Sequence, residues 1–246
     1  MERAIFRIPT AKIILGTQPV DSENNQHFAS ESDDFIPGVE IEIKLGYGSN
    51  NETVFHGIIV KQGIRNLTGM VDECIIHCRD QNDHLKDWDL IVARAEANGM
   101  LMYAENGEVS VKKPMDSGIA DLKVAFGKGV VSYDYSIGSR IQAPAVPNAA
   151  WDFETQFLGT ITILGNATLK LNTLLELNGF GEPFNGNALI TSILHAVREG
   201  IWHTTVGFGL PSKWRLKLRA VSAKATGSLK LHQNRNKAPL SKACFG

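Results

Sequence analysis

Cysteine is scarce, with three residues in 246, too few for a disulfide framework. Cys74 and Cys78 lie four apart in a strand-like run, roughly 13 Å at about 3.3 Å per residue, so they cannot bridge each other. A Cys74-x-x-His77-Cys78 metal site is disfavoured too, because period-two geometry points His77 away from both cysteines. Long apolar runs are also missing. None approaches the eighteen residues that a membrane helix needs, and no uninterrupted apolar stretch precedes Pro9 and Lys12. The expectation is a chain made in the cytoplasm with neither membrane anchor nor cleaved leader.

Catalytic signatures are equally thin. There is no Gly-x-Ser-x-Gly elbow, no GxGxxG and no phosphate-cradling loop ending in Lys-Ser or Lys-Thr. The seven histidines, His27, His56, His77, His84, His195, His203 and His232, never reach metal-ligand spacing. Asp87 and Asp89 are better explained as the start of a helix than as an acid–base pair. The sequence predicts no catalytic residue, no cofactor and no metal.

Charge is present but unevenly spread. Residues 211–246 hold nine basic residues and no acidic one, leaving 16 basic against all 26 acidic in residues 1–210. This segment reads as a poorly ordered basic tail. It carries no zinc-finger or helix-turn-helix pattern, so nucleic acid is the alternative partner rather than the expected one.

Most of the chain has the period of strands. Apolar and charged residues alternate from Val39 to Leu45, and the pattern resumes from Val54 to Val60 after the turn formers of residues 46–51. A turn at Asn66–Gly69 leads to a third run, Val71–Cys78. The period then changes: Trp88, Ile91, Val92 and Ala95 mark one helical face, with Asp87 as N-cap and Gly99 as left-handed stop. Asn106-Gly107 predicts a hairpin between residues 100–105 and 108–113, followed by a looser stretch with Pro144 and Pro147. Strand signals return at residues 157–164, 168–177, 188–197 and 201–208.

Within this series lies an internal repeat. Gly46-Tyr47-Gly48 ends one strand and Phe55-x-Gly57 opens the next; Gly179-Phe180-Gly181 and Phe184-x-Gly186 do the same later in the chain. The glycines read as tight corners, and the aromatics as corner packing rather than a ligand cage. The expected fold is mainly β with a small α+β connector: two related small antiparallel β-barrels, residues 1–80 and 151–210. The connector is residues 81–150, with its helix at 88–98 and hairpin at 100–113, and the tail is 211–246.

Several segments carry a resemblance. Residues 7–13 and 32–47 look like the first barrel of VgrG proteins of type VI secretion and related spike hubs of contractile injection systems. Residues 87–99, 106–113, 184–195, 200–202 and 207–214 are similar to later segments of that family in the same order. The resemblance implies barrels of the phage baseplate hub type in a homotrimer that adapts a sixfold tube to a threefold spike. The tail-tube protein, other baseplate subunits and a separate spike or effector would be its partners. It would be assembled in the cytoplasm and become part of a secreted or phage-tail-like particle. The chain resembles an abbreviated hub without the spike; a cargo- or nucleic-acid-binding tail protein and a degraded remnant are the alternatives.

Overall fold

Alternation becomes a sheet edge in the first strands of the computed structural model, which describes residues 1–17, 32–65, 72–81, 87–105, 107–142 and 152–210. The turn expected at Asn66–Gly69, residue Asn106, the Pro144–Pro147 stretch and the basic tail lie outside the described residues. Strands β1 (Glu2–Ala4), β2 (Thr10–Thr17), β3 (Glu40–Tyr47), β4 (Asn50–Arg65) and β5 (Asp72–Asp80) come first. Along β3 each charged residue is exposed while Ile41, Ile43 and Leu45 turn inward; on β5, Cys74, Ile76 and Cys78 are buried. Ile41, Ile43, Cys74, Ile76 and Cys78 join Phe55 and Ile59 in one apolar core.

Helix α1 (Trp88–Ala97) buries Trp88 and Ala95 against β6 (Leu101–Glu105), whose hairpin partner is β7 (Glu108–Lys112). Asp87 stands at the N-cap, but its side chain makes no capping hydrogen bond, a correction to its expected role. The other end behaves as the sequence suggested. Gly99 has φ +64°, its N–H donates to Glu96 O and that of Met100 to Ala95 O, a Schellman closure that a β-carbon would strain.

The remaining strands are β8 (Leu122–Ala125), β9 (Val130–Gln142), β10 (Asp152–Leu164), β11 (Leu174–Asn178), β12 (Gly186–Arg198) and β13 (Ile201–Phe208). Neither β8 nor β9 was anticipated. β9 pairs with β10 along its length, and β8 pairs in parallel with β11, the one parallel ladder among the described residues. A second and larger core, including Leu174, Leu175, Leu177, Ile190, Ile193 and Phe208, lies beneath these strands.

The fold is mainly β as expected, but no closed barrel is formed among the described residues. Hydrogen-bonded order runs β3-β4-β5-β2-β1-β12-β13-β10-β9 in one continuous sheet, with no ladder joining its ends among the described residues. The physical reason is β1: it lies along both β2 and β12, so each half gains a neighbour instead of curling back on itself.

The repeat is nevertheless visible in the ladders. β3-β4-β5-β2 and β11-β12-β13-β10 have the same spatial order, chain order and antiparallel sense. Irregularities coincide as well. One extra residue bulges between Ile59 and Lys61 opposite β5, and one between Ile190 and Ser192 opposite β13. In the first half, Gly38 N–H donates to Ile59 O at 2.8 Å and Ile59 N–H to Val39 O at 2.9 Å. In the second, Asn172 N–H donates to Ile190 O at 3.0 Å and Ile190 N–H to Thr173 O at 2.8 Å. Gly38 and Asn172 are both left-handed, at φ +100° and +59°.

These anchors make Ile59 equivalent to Ile190 and, through the facing residues Ile41 and Leu175, Gly57 equivalent to Ala188. The Phe-x-Gly signatures therefore sit two residues out of register. Gly186 occupies the place of Phe55, and the ring of Phe157, from β10, covers it at 3.3 Å from where a β-carbon would stand. Each core receives one phenyl ring near this point, from β4 in the first half and from β10 in the second.

Candidate assembly surface

The seam between the halves is built around β1. Arg3 faces Ile193 across the ladder, Ile5 N–H donates to Thr191 O at 3.0 Å and His195 N–H to Met1 O at 2.9 Å. The Arg3 guanidinium is buried; Nη1 reaches Glu105 Oε1 at 3.3 Å and Nη2 donates to Leu169 O at 3.2 Å. The same carboxylate oxygen accepts the N–H of Leu171. One buried cation thus ties β1 to the β6–β7 hairpin and to the approach to β11. Burial lowers the Arg3 pKa, with Glu105 opposing.

Beside it, His195 Nδ1 lies 2.9 Å from Thr204 Oγ1, and its ring packs against Trp202 at 5.7 Å. Burial, then the Arg3 charge, pushes the imidazole down to about 3. Between pH 6.5 and 3 the unfolded chain therefore takes up a proton that the folded chain refuses, so stability falls on acidification by up to about 1.4 kcal/mol per pH unit. His195→Gln is expected to flatten that slope. Urea midpoints for both proteins at pH 7 and pH 4 measure it, and parallel losses would remove His195 from the account.

The predicted corner residues separate into three places. At the tip of the β3–β4 hairpin, Gly46 and Tyr47 end β3, Gly48 turns at φ +65°, and exposed Tyr47 leans on Trp202 with ring centres 5.3 Å apart. Phe55 and Gly57 are instead buried inside β4, away from any corner. Gly179, Phe180 and Gly181 form the turn after β11, Phe184 closes a short 3-10 turn, and Gly186 opens β12. Phe180 and Phe184 meet Phe126, Tyr133 and Tyr135 in edge-to-face contacts 5.1–5.7 Å apart around a depression of about 510 Å³. Tyr135 donates to Phe184 O at 3.2 Å, and burial followed by the neighbouring Tyr133 raises its phenol to about 12. The Tyr133-x-Tyr135 spacing was a readable strand signal; three-residue β1, which carries Arg3, offered none.

Among the described residues no three His, Cys, Asp or Glu side chains converge as metal ligands. His77 faces away from buried Cys74 and Cys78, and burial raises the Cys78 thiol to about 11, far from the thiolate a metal or electrophile requires. No described helix is long and apolar enough to cross a membrane. Chemically, the surface offers strand edges, a buried ionic seam and an aromatic depression.

Comparison places this arrangement among known folds. A tail protein from Neisseria meningitidis MC58 has a similar structure, with TM-score 0.57 and 11% identity over 87% of this chain and 93% of that one. The 43 kDa tail protein of prophage MuSo2 from Shewanella oneidensis gives TM-score 0.56 and 10% identity over 87% and 95%. The fold is of the phage-tail type. No curated protein matches. The model described as the Alg8 N-terminal domain matches residues 1–85, 82–159 and 155–199, and with residues 1–199 so covered the chain belongs to the Alg8 N-terminal domain family.

Proposed function

We propose that the chain is a structural, non-catalytic component of a contractile tail-like machine, a baseplate hub of the VgrG kind that adapts a sixfold tube to a threefold spike. The observation that carries this reading is the duplicated four-strand unit, with matching order, bulge and left-handed entry residue. Two equivalent units per chain let three chains present six equivalent surfaces to a sixfold partner while keeping threefold symmetry toward the other. Likeness to two tail proteins and the segments resembling VgrG support the same role. Its partners would be two further copies, a tail-tube protein and other baseplate subunits, with a separate spike or effector at the threefold end.

Light scattering across a dilution series tests the assembly. A monodisperse trimer is expected for the full chain and for residues 1–214 alike, because both repeat units lie before residue 211. A monomer at every concentration, or a trimer lost with the tail, would overturn the hub reading.

A further inference from the structure

The strand order contains a pattern that stops short. Read from β4, it is β4-β5-β2-β1 followed by β12-β13-β10-β9. The first three strands of each group are equivalent by the ladders above, and β9 lies on the outer side of β10 as β1 lies on the outer side of β2. β9 is therefore the second half's counterpart of β1. On its other side β1 pairs with β12 just beyond the bulge, at Ser192, Ile193 and Leu194. The matching stretch of the first half begins at Lys61 of β4, and no described strand pairs with it on the β3 side.

From this we infer that the outer edge of β9 docks on β4 of a second copy of this chain, continuing the sheet from subunit to subunit. The inference rests on the trimeric reading above and adds which edges meet and in what register. Thr10 is equivalent to Leu158, so Glu2, opposite Thr10, corresponds to Ser136, opposite Leu158. Leu194 corresponds to Gly63. The Glu2–Leu194 pairing thus predicts Ser136 of one copy opposite Gly63 of the next. Two features not used to set that register agree with it. Asp134 falls opposite Arg65, placing opposite charges across the seam, and Tyr135 falls opposite Ile64, a residue 69% exposed in the single chain. Nothing lies within 4 Å of a β-carbon on Gly63, so its face is open to an incoming neighbour. Among the described residues the outer edge of β9 and the stretch of β4 from Lys61 onward carry no ladder on these sides, and joining them head to tail covers both.

The contact is heterologous, so it closes into a ring only if the geometry returns after a whole number of copies, here three. In the intramolecular original, Met1 and His195 exchange backbone hydrogen bonds, which makes the Glu2–Leu194 position non-hydrogen-bonded, with Cα atoms about 4.5 Å apart. That spacing suits a disulfide. The test is the full-length chain carrying Gly63→Cys and Ser136→Cys, with Cys244→Ser to remove the tail thiol, oxidised mildly and run on a non-reducing denaturing gel beside a light-scattering measurement. Covalent trimers are expected as the largest species, absent from either single variant and from the offset pair Gly63→Cys with Ser132→Cys. A trimer in solution without cross-link, or equal cross-linking of the offset pair, overturns the junction but leaves the hub reading. A monomer without cross-link overturns both. A covalent ladder running past three overturns ring closure.

Discussion

Arg3→Ala is expected to destabilise the fold by about 3–5 kcal/mol, the usual cost of removing one partner from a buried ion pair. The guanidinium is 5% exposed and Glu105 is 22% exposed, so water replaces only part of what the arginine supplied. Its loss would leave a half-buried carboxylate without its cation and the buried Leu169 carbonyl without a donor. The geometry of the loss is as important as its size. β1 is three residues long and is the only strand that pairs with both halves among the described residues, so weakening its anchor loosens the sheet at its middle. Denaturant unfolding measures the effect, and the double variant Arg3→Met with Glu105→Met should recover much of it by leaving no unpaired charge. A loss under about 1 kcal/mol for Arg3→Ala would mean that the seam is held by the backbone ladder alone.

Gly57→Val is the second large effect, with an expected loss above about 4 kcal/mol or failure to fold. Gly57 lies in the ladder between Ile41 and Asp80, and a β-carbon there would overlap the Arg79 carbonyl oxygen and stand 2.8 Å from the Phe55 ring. Backbone on a central strand cannot step aside as a flexible side chain can. Gly186→Val should be milder, since its φ of +150° is strained for valine but the nearest atoms belong to the Phe157 ring at 3.3 Å. At Gly118 only backbone strain opposes the change, about 1–3 kcal/mol, and at Gly63 neither obstacle exists. Melting temperatures of the four valine variants should fall in the order Gly57, Gly186, Gly118, Gly63; equal losses at Gly57 and Gly63 would refute the packing argument.

The four glycines also show where sequence reading reached and where it stopped. A repeat was legible because Gly-aromatic-Gly followed by Phe-x-Gly occurs twice, yet ladder equivalence pairs Gly57 with Ala188 rather than with Gly186. Local pattern records that a phenyl ring is needed near a strand start. It does not record which strand supplies it, and here β4 supplies one and β10 the other. β9 escaped notice for a similar reason: Tyr133, Tyr135 and Ile137 alternate as a strand should, but Gly127, Gly129, Gly138 and the later prolines read as loop punctuation. Only the partner strand β10 turns that alternation into a ladder.

By itself, then, the sequence determined the strand-dominated class, the helix with its Gly99 stop, the hairpin after it and the presence of two related units, because each depends on neighbours within about a dozen residues. Tertiary structure decided what depends on distant partners. It joined the units through Glu2–Ala4, 188 to 192 residues from the β12 partners; it paired β8 with β11 in parallel; it buried Arg3 and made His195 reluctant to ionise; and among the described residues it left the outer edge of β9 and the end of β4 from Lys61 without ladders on those sides. A strand's own period says that it has two faces, but which edge is covered, and by what, is settled only when residues far apart in the chain compete for the same hydrogen bonds.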